Sequence, residues 1–175
     1  MPQKDRSNMD YITRRLEFDA AHRVLGHPGK CQHLHGHRYV AEVSLYAPQL
    51  DSLGMMFDFG IIKTLIGGWI DEFWDHNILL HPDDPLAVLY HMRDLTISHS
   101  RNVRGKDVFG DKAPFLMPSH AANPTAENIA RVLWETSVML LTCHSEDSGV
   151  RGPILHNVRV YETPNCSADY GTSNQ

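Results

Sequence analysis

Three histidines, His22, His35 and His37, have the spacing to share one metal ion. They lie in two segments, Phe18-Asp19-Ala20-Ala21-His22 and Cys31-Gln32-His33-Leu34-His35-Gly36-His37. Residues two apart on a β-strand point to the same face, so His35 and His37 point together. His22 ends an earlier strand-like run and joins them from a neighbouring strand. Three imidazoles with a fourth position left to water or substrate make an open Zn2+ site. His33 is on the same face of an ideal strand and is the rival ligand, although it reads as part of the turn before the strand. His27, in a loop containing glycine and proline, is a weaker rival. Cys31 has three readings: a fourth zinc ligand, which would close the site and make it structural; a small buried apolar residue; or a thiolate base or nucleophile. Spacing alone does not choose among them.

Two further positions carry chemistry. Asp75-His76 follows an apolar helical pattern. It reads either as a helix C-terminus, where histidine interacts well with the dipole, or as a carboxylate orienting an imidazole for proton transfer. Glu162 ends a largely apolar stripe, where a carboxylate is costly to bury unless paired. It reads either as a surface strand end or as an anchor for a ligand with two adjacent N–H donors.

The elements that position these residues follow from periodicity. In residues 11–24, Ile12, Leu16, Phe18, Ala20 and His22 share a face, interrupted by Arg14. In residues 35–46, His35, His37, Tyr39, Ala41, Val43 and Leu45 share a face, with Arg38, Glu42 and Ser44 opposite. The histidines continue both apolar faces and so stand at the edge of a core. Ile154, His156, Val158, Val160 and Glu162 mark a third strand, and Ala168-Asp169-Tyr170 a short edge strand. Asp58 caps a helix over 59–74, which Gly67-Gly68 weakens unless sheet and helix approach closely there. A second helix starts at Asn123-Pro124-Thr125, with asparagine as cap and proline at the first helical position. The order is that of an α+β fold with a mainly antiparallel sheet. The stretch from about 81 to 122 is long for a connector. Its polar centre reads as a loop or flap, and 86–95 as one or two helical turns.

The 175 residues make a single domain, 1–175, with that insertion. The net charge of -5 argues against general nucleic-acid binding. Three cysteines, Cys31, Cys143 and Cys166, make no disulfide framework. No apolar run reaches the length of a membrane span, and the first residues lack a secretory apolar core. The expectation is a reduced cytoplasmic protein. His81, His91, His99, His120 and His144 read as solvent-facing.

Taken together, these motifs resemble the 6-pyruvoyl-tetrahydropterin synthase / 6-carboxytetrahydropterin synthase family. The matching pieces are Phe18-Asp19-Ala20-Ala21-His22, Cys31-x-x-x-His35-Gly36-His37, Asp58-Phe59-Gly60, Asp75-His76-Asn77, Asn123-Pro124-Thr125-Ala126-Glu127-Asn128 and Val160-Tyr161-Glu162-Thr163, in the family's order. The resemblance implies a tunnelling fold: a four-stranded antiparallel sheet with two helices on one face, assembling into an oligomeric barrel. The implied assembly is a homohexamer of two trimers with active sites between subunits. It implies that His22, His35 and His37 hold zinc. Cys31 would be the catalytic thiol, with Asp75 and His76 the proton-transfer pair. Glu162 would anchor the pterin ring, with help from Thr125. Arg23, His27 and Lys30, in the loop joining the first two strands, are the candidates for a triphosphate. The spacing of Cys31 from His35 is similar to that of bacterial 6-carboxytetrahydropterin synthases of queuosine and 7-deazaguanine biosynthesis. The implied substrate is 7,8-dihydroneopterin triphosphate. Two alternatives are the pyruvoyl enzyme, which eliminates triphosphate, and a zinc-dependent pterin-binding module without turnover. The latter is disfavoured by the presence of Cys31, Asp75 and His76.

Overall fold

The computed structural model describes residues 10–87, 113–148 and 152–172. Strands β1 (Tyr11–His22) and β2 (His35–Tyr46) pair antiparallel along their whole length, from Tyr11 opposite Tyr46 to His22 opposite His35. The alternation behaves as expected. Leu16, Phe18 and Ala20 of β1, and Tyr39, Ala41, Val43 and Leu45 of β2, are buried on one face. Arg15, Glu17, Arg38 and their neighbours leave from the other.

The sheet has six strands, not the four expected, and it is mixed. Its order is β4-β3-β1-β2-β5-β6. The strands β5 (Ile154–Thr163) and β6 (Cys166–Gly171) complete an antiparallel set of four with β1 and β2. Two short strands, β3 (Asn77–Leu80) and β4 (Phe115–Leu116), extend it on the β1 side in parallel register. Asn77-Ile78-Leu79-Leu80 is largely covered on both faces, so it carries no alternation to read. Strand β4 lies inside the 81–122 insertion, just after the polar centre expected to be a loop or flap. Asn77 ties its approach down by donating from Nδ2 to the Ala113 carbonyl at 2.9 Å. Met117 donates its backbone N–H to Leu80 at 2.8 Å. Most of the proposed turns over 86–95 and the polar centre of the insertion fall outside the described residues.

The face assigned to β5 also needs correction. A bulge lets Asn157 oppose Ser44 while Leu155 opposes Leu45, leaving His156 as the extra residue. Leu155 is therefore buried and Ile154 exposed. The expected face holds only from Val158 onward.

The first helical region is α1 (Phe59–Ile62), a π-helical turn (Lys63–Gly67) and α2 (Gly68–Phe73). Asp58 caps it, accepting from the Gly60 N–H at 2.6 Å. Ile62, Ile66 and Ile70 form its buried stripe. A Cβ on Gly67 would lie 3.3 Å from Leu16 Cδ2, so helix and sheet do approach closely there. The long helix α3 (Ala126–Ser148) buries Ile129, Ala130, Val132, Leu133 and Leu141. Both helical regions share one core with the inner face of the sheet. Each large aliphatic side chain buried there contributes roughly 1.5–3 kcal/mol. The cap of α3 is Thr125, whose Oγ1 accepts from Asn128 N–H at 3.4 Å, and not Asn123. The Asn123 side chain reaches Leu25 instead.

Candidate metal centre

The antiparallel register sets His22 directly opposite His35, and His37 lies opposite Ala20 on the same inner face. The ring centroids are 4.5 Å apart for His22–His35, 5.2 Å for His22–His37 and 4.9 Å for His35–His37. One ligand atom from each falls within 4.8 Å of the others. Strand pairing alone thus gathers the three imidazoles, and the rivals His27 and His33 are not in the group.

Hydrogen bonds select the ligating nitrogen. His22 Nδ1 donates to the Pro124 carbonyl at 2.7 Å, and His35 Nδ1 to the His33 carbonyl at 2.8 Å. A backbone acceptor on Nδ1 leaves the Nε2 lone pair for a metal and fixes the ring. The Nε2 atoms of His22 and His37 are buried and have no hydrogen-bond partner. Burial pushes both imidazole pKa values down, which favours the neutral ligating form. The Pro124 bond and the Glu162 charge oppose this at His22, and the Glu162 charge at His37.

Glu162 brings Oε1 to 3.1 Å from His22 Nε2 and 3.6 Å from His37 Nε2. A carboxylate facing neutral imidazole lone pairs is repulsive, and a cation among them turns each contact into an attraction. The orphaned buried nitrogens and the adjacent carboxylate therefore fit a metal ion.

Cys31 sits half-buried in a 3-10 turn (Lys30–Gln32), unpaired with another cysteine and outside the ligating group. Its carbonyl accepts from Val24 N–H at 2.8 Å, holding the turn against the end of β1. Asp75 and His76 form a pair, with His76 Nδ1 2.6 Å from Asp75 Oδ2. Asp75 Oδ1 also accepts the Asp19 N–H at 2.8 Å. His76 adopts φ +52°, a left-handed conformation that histidine tolerates better than most residues. The pair packs on Asp19, itself bonded to Arg38. The side chains of Asp19 and Arg38 leave the sheet opposite to Ala20 and His37. His76 and His37 border one shallow groove at this edge, but the structure groups the pair with Asp19 and Arg38.

Of the remaining candidates, Thr125 caps α3 beside Pro124, and Lys30 is exposed. His27 Nδ1 accepts the Gly29 N–H at 2.9 Å. Arg23 donates twice to Asp84, at 2.7 Å and 2.5 Å. Asp84 is buried, and Arg23 beside it is one reason its carboxyl sits below the usual range despite burial. Arg23 is thus tied to a carboxylate and less available to an anion than its sequence position suggests. The burial of Asp84, the unpartnered Tyr39 hydroxyl and the reach of Asn123 are not legible in the sequence. Asp84 had no signal beyond a polar turn. Tyr39 continues the face of His35 and His37, and its buried hydroxyl has no hydrogen-bond partner. Among histidines expected to face solvent, His120 is exposed while His81 and His144 are partly covered. His91 and His99 lie outside the described residues.

Comparison with known proteins agrees with this geometry. A sequence model of the family described as 6-pyruvoyl tetrahydropterin synthase matches residues 11–173. The 6-carboxy-5,6,7,8-tetrahydropterin synthase of Rickettsia bellii is 42% identical over 154 residues, 88% of this chain and 94% of that protein. Its counterpart in Rickettsia felis is 40% identical over the same shares. Among solved structures, an uncharacterized protein of Wolinella succinogenes has a TM-score of 0.67 at 24% identity, covering 95% of this chain and all (100%) of that one. The 6-pyruvoyl tetrahydropterin synthase of Caenorhabditis elegans has a TM-score of 0.58 at 21% identity, covering 97% of this chain and 100% of that one. The structural likenesses show the fold, and the sequence matches show descent: this chain belongs to the 6-pyruvoyl tetrahydropterin synthase family.

Proposed function

We propose that the chain is a zinc-dependent 6-carboxytetrahydropterin synthase. It would convert 7,8-dihydroneopterin triphosphate and water to 6-carboxy-5,6,7,8-tetrahydropterin, acetaldehyde and triphosphate, in queuosine or 7-deazaguanine biosynthesis. The observation that carries this reading is the three-imidazole cluster with two buried, unpartnered Nε2 atoms, joined to relatives of that name at about two-fifths identity. Three neutral nitrogen donors suit zinc and leave a position open. Bound there, zinc supplies Lewis acidity toward substrate oxygens.

The protein residues do the rest. The Cys31 thiol, outside the ligating group and on a pinned turn, takes or returns a proton. Asp75 holds the His76 imidazole for a second proton transfer. Glu162 accepts from the pterin amino group and ring N–H, with Thr125 beside it. Lys30 and His27 meet the triphosphate, with Arg23 a lesser contributor. The family resemblance implies a homo-oligomer, a hexamer of two trimers with active sites between subunits, in which Asp75 and His76 lie beside the groove that His37 borders.

The deciding experiment is product analysis with 7,8-dihydroneopterin triphosphate. Acetaldehyde with a 6-carboxypterin is the expected result. Triphosphate release with a pyruvoyl side chain and no acetaldehyde would establish the pyruvoyl reaction. Tight pterin binding without turnover would establish a binding module.

Glu162→Gln tests the anchor. It keeps the shape but turns one acceptor oxygen into a donor amide facing a pterin donor. Affinity should weaken by about 1.5–3 kcal/mol, the scale of a charge-assisted hydrogen bond. Calorimetry and elemental analysis on one preparation read this out. Glu162 lies 3.1 Å from His22 Nε2, so zinc loss in this variant would make it a ligand instead of an anchor.

A further inference from the structure

The segment before α3 grips the loop that carries Cys31. Asn123 Oδ1 accepts the Leu25 N–H at 2.8 Å, and Asn123 Nδ2 donates to the Leu25 carbonyl at 3.0 Å. One side-chain amide thus satisfies both backbone polar groups of Leu25, as a neighbouring strand would. The grip is itself anchored: Asn128 Nδ2 donates to the Asn123 carbonyl at 2.9 Å, and Thr125 N–H does so at 2.9 Å. The next residue, Pro124, holds His22 Nδ1 at 2.7 Å. On the loop side, Val24, next to Leu25, donates its N–H to the Cys31 carbonyl at 2.8 Å.

We propose that Asn123 is a positioning residue for the thiol. Its two bonds to Leu25 fix the first turn of the β1–β2 loop. The Val24–Cys31 bond carries that placement to Cys31, so one short segment sets both the His22 ring and the Cys31 thiol. The inference rests on the catalytic role proposed above for Cys31, but its first readout does not. The side-chain hydrogen bonds of Asn123 go to Leu25 and to none of the three imidazoles or the thiol, and its substitution leaves the Pro124 carbonyl in the chain.

The test uses full-length Asn123→Ala and Asn123→Asp. The aspartate keeps the acceptor for Leu25 N–H but turns an oxygen, in place of the donor, toward the Leu25 carbonyl. Leu141→Ala, in the core of α3 and remote from the loop, is the control for general loss of stability. Both Asn123 variants should retain zinc and show faster alkylation of Cys31, scored by mass spectrometry at that residue, because the turn is released. Turnover should fall up to about 100-fold with little change in KM in both variants, the scale of a misplaced reacting group. Leu141→Ala should lower the melting temperature without changing the Cys31 alkylation rate. Wild-type alkylation rates in both Asn123 variants would overturn the proposal, as would changes matched by Leu141→Ala. Loss of zinc in Asn123→Asp would make Asn123 part of the metal cage and also overturn it. If Asn123→Ala does not fold, Asn123→Asp decides alone. If wild type turns over no pterin, the alkylation readout still decides the positioning role, and the failure falls on the proposed reaction.

Discussion

His22→Ala is expected to empty the metal site and abolish turnover. His22 is almost fully buried, at 1% exposure, and both of its ring nitrogens have assigned surroundings. Nδ1 is held by Pro124, and Nε2 faces His37 and Glu162. Removing it takes one of the three imidazoles placed to hold a metal ion. The loss should exceed the ~10–100-fold in metal affinity that follows loss of a mere outer partner. The substitution also leaves the Pro124 carbonyl without its donor, a penalty of about 1–3 kcal/mol. His33→Ala is the contrasting variant. His33 is exposed and acts on the site through its backbone carbonyl, which accepts from His35. It should keep metal and activity. Elemental analysis and steady-state rates on both proteins check this, and a His22→Ala protein with full metal content would dismantle the centre as described.

The site was more legible in the sequence than the sheet. His22, His35 and His37 could be placed because strand alternation is a strict rule of period two, and each histidine continues a face already defined by Phe18, Ala20, Tyr39 and Ala41. The same rule misled at β5, where one extra residue, His156, reversed the faces of Ile154 and Leu155. Nothing in a local pattern announces a bulge. Strands β3 and β4 were missed because four- and two-residue elements are too short to show a period, and their pairing is decided by partners far along the chain. Asparagine before proline and threonine is a good helix start, so the local pattern points to Asn123 as the cap. Thr125 supplies the cap instead, freeing the amide for Leu25, 98 residues away. Such long-range polar bonds leave no local trace, and neither does the clasp of Arg23 by Asp84.

Cys31→Ala is expected to keep zinc, fold and assembly while losing most turnover. The reasoning starts from the backbone. The bond that places Cys31 runs from Val24 N–H to its carbonyl, so alanine preserves it. The thiol is half-exposed and lies outside the group whose ligand atoms fall within 4.8 Å of one another. Removing it should therefore neither open a large cavity nor strip the metal. What disappears is the proposed proton-transfer group, and general acid–base catalysis by one positioned side chain is worth roughly 10²–10⁴-fold in rate. Paired measurements of kcat and zinc content on the same preparation separate the outcomes. Near-normal turnover would remove Cys31 from the chemistry and leave His76 as the remaining candidate for proton transfer. Loss of zinc alongside activity would instead mean that the thiol closes the site as a fourth ligand, and the centre would then be structural, because an open coordination position is what lets the imidazole cluster meet a substrate.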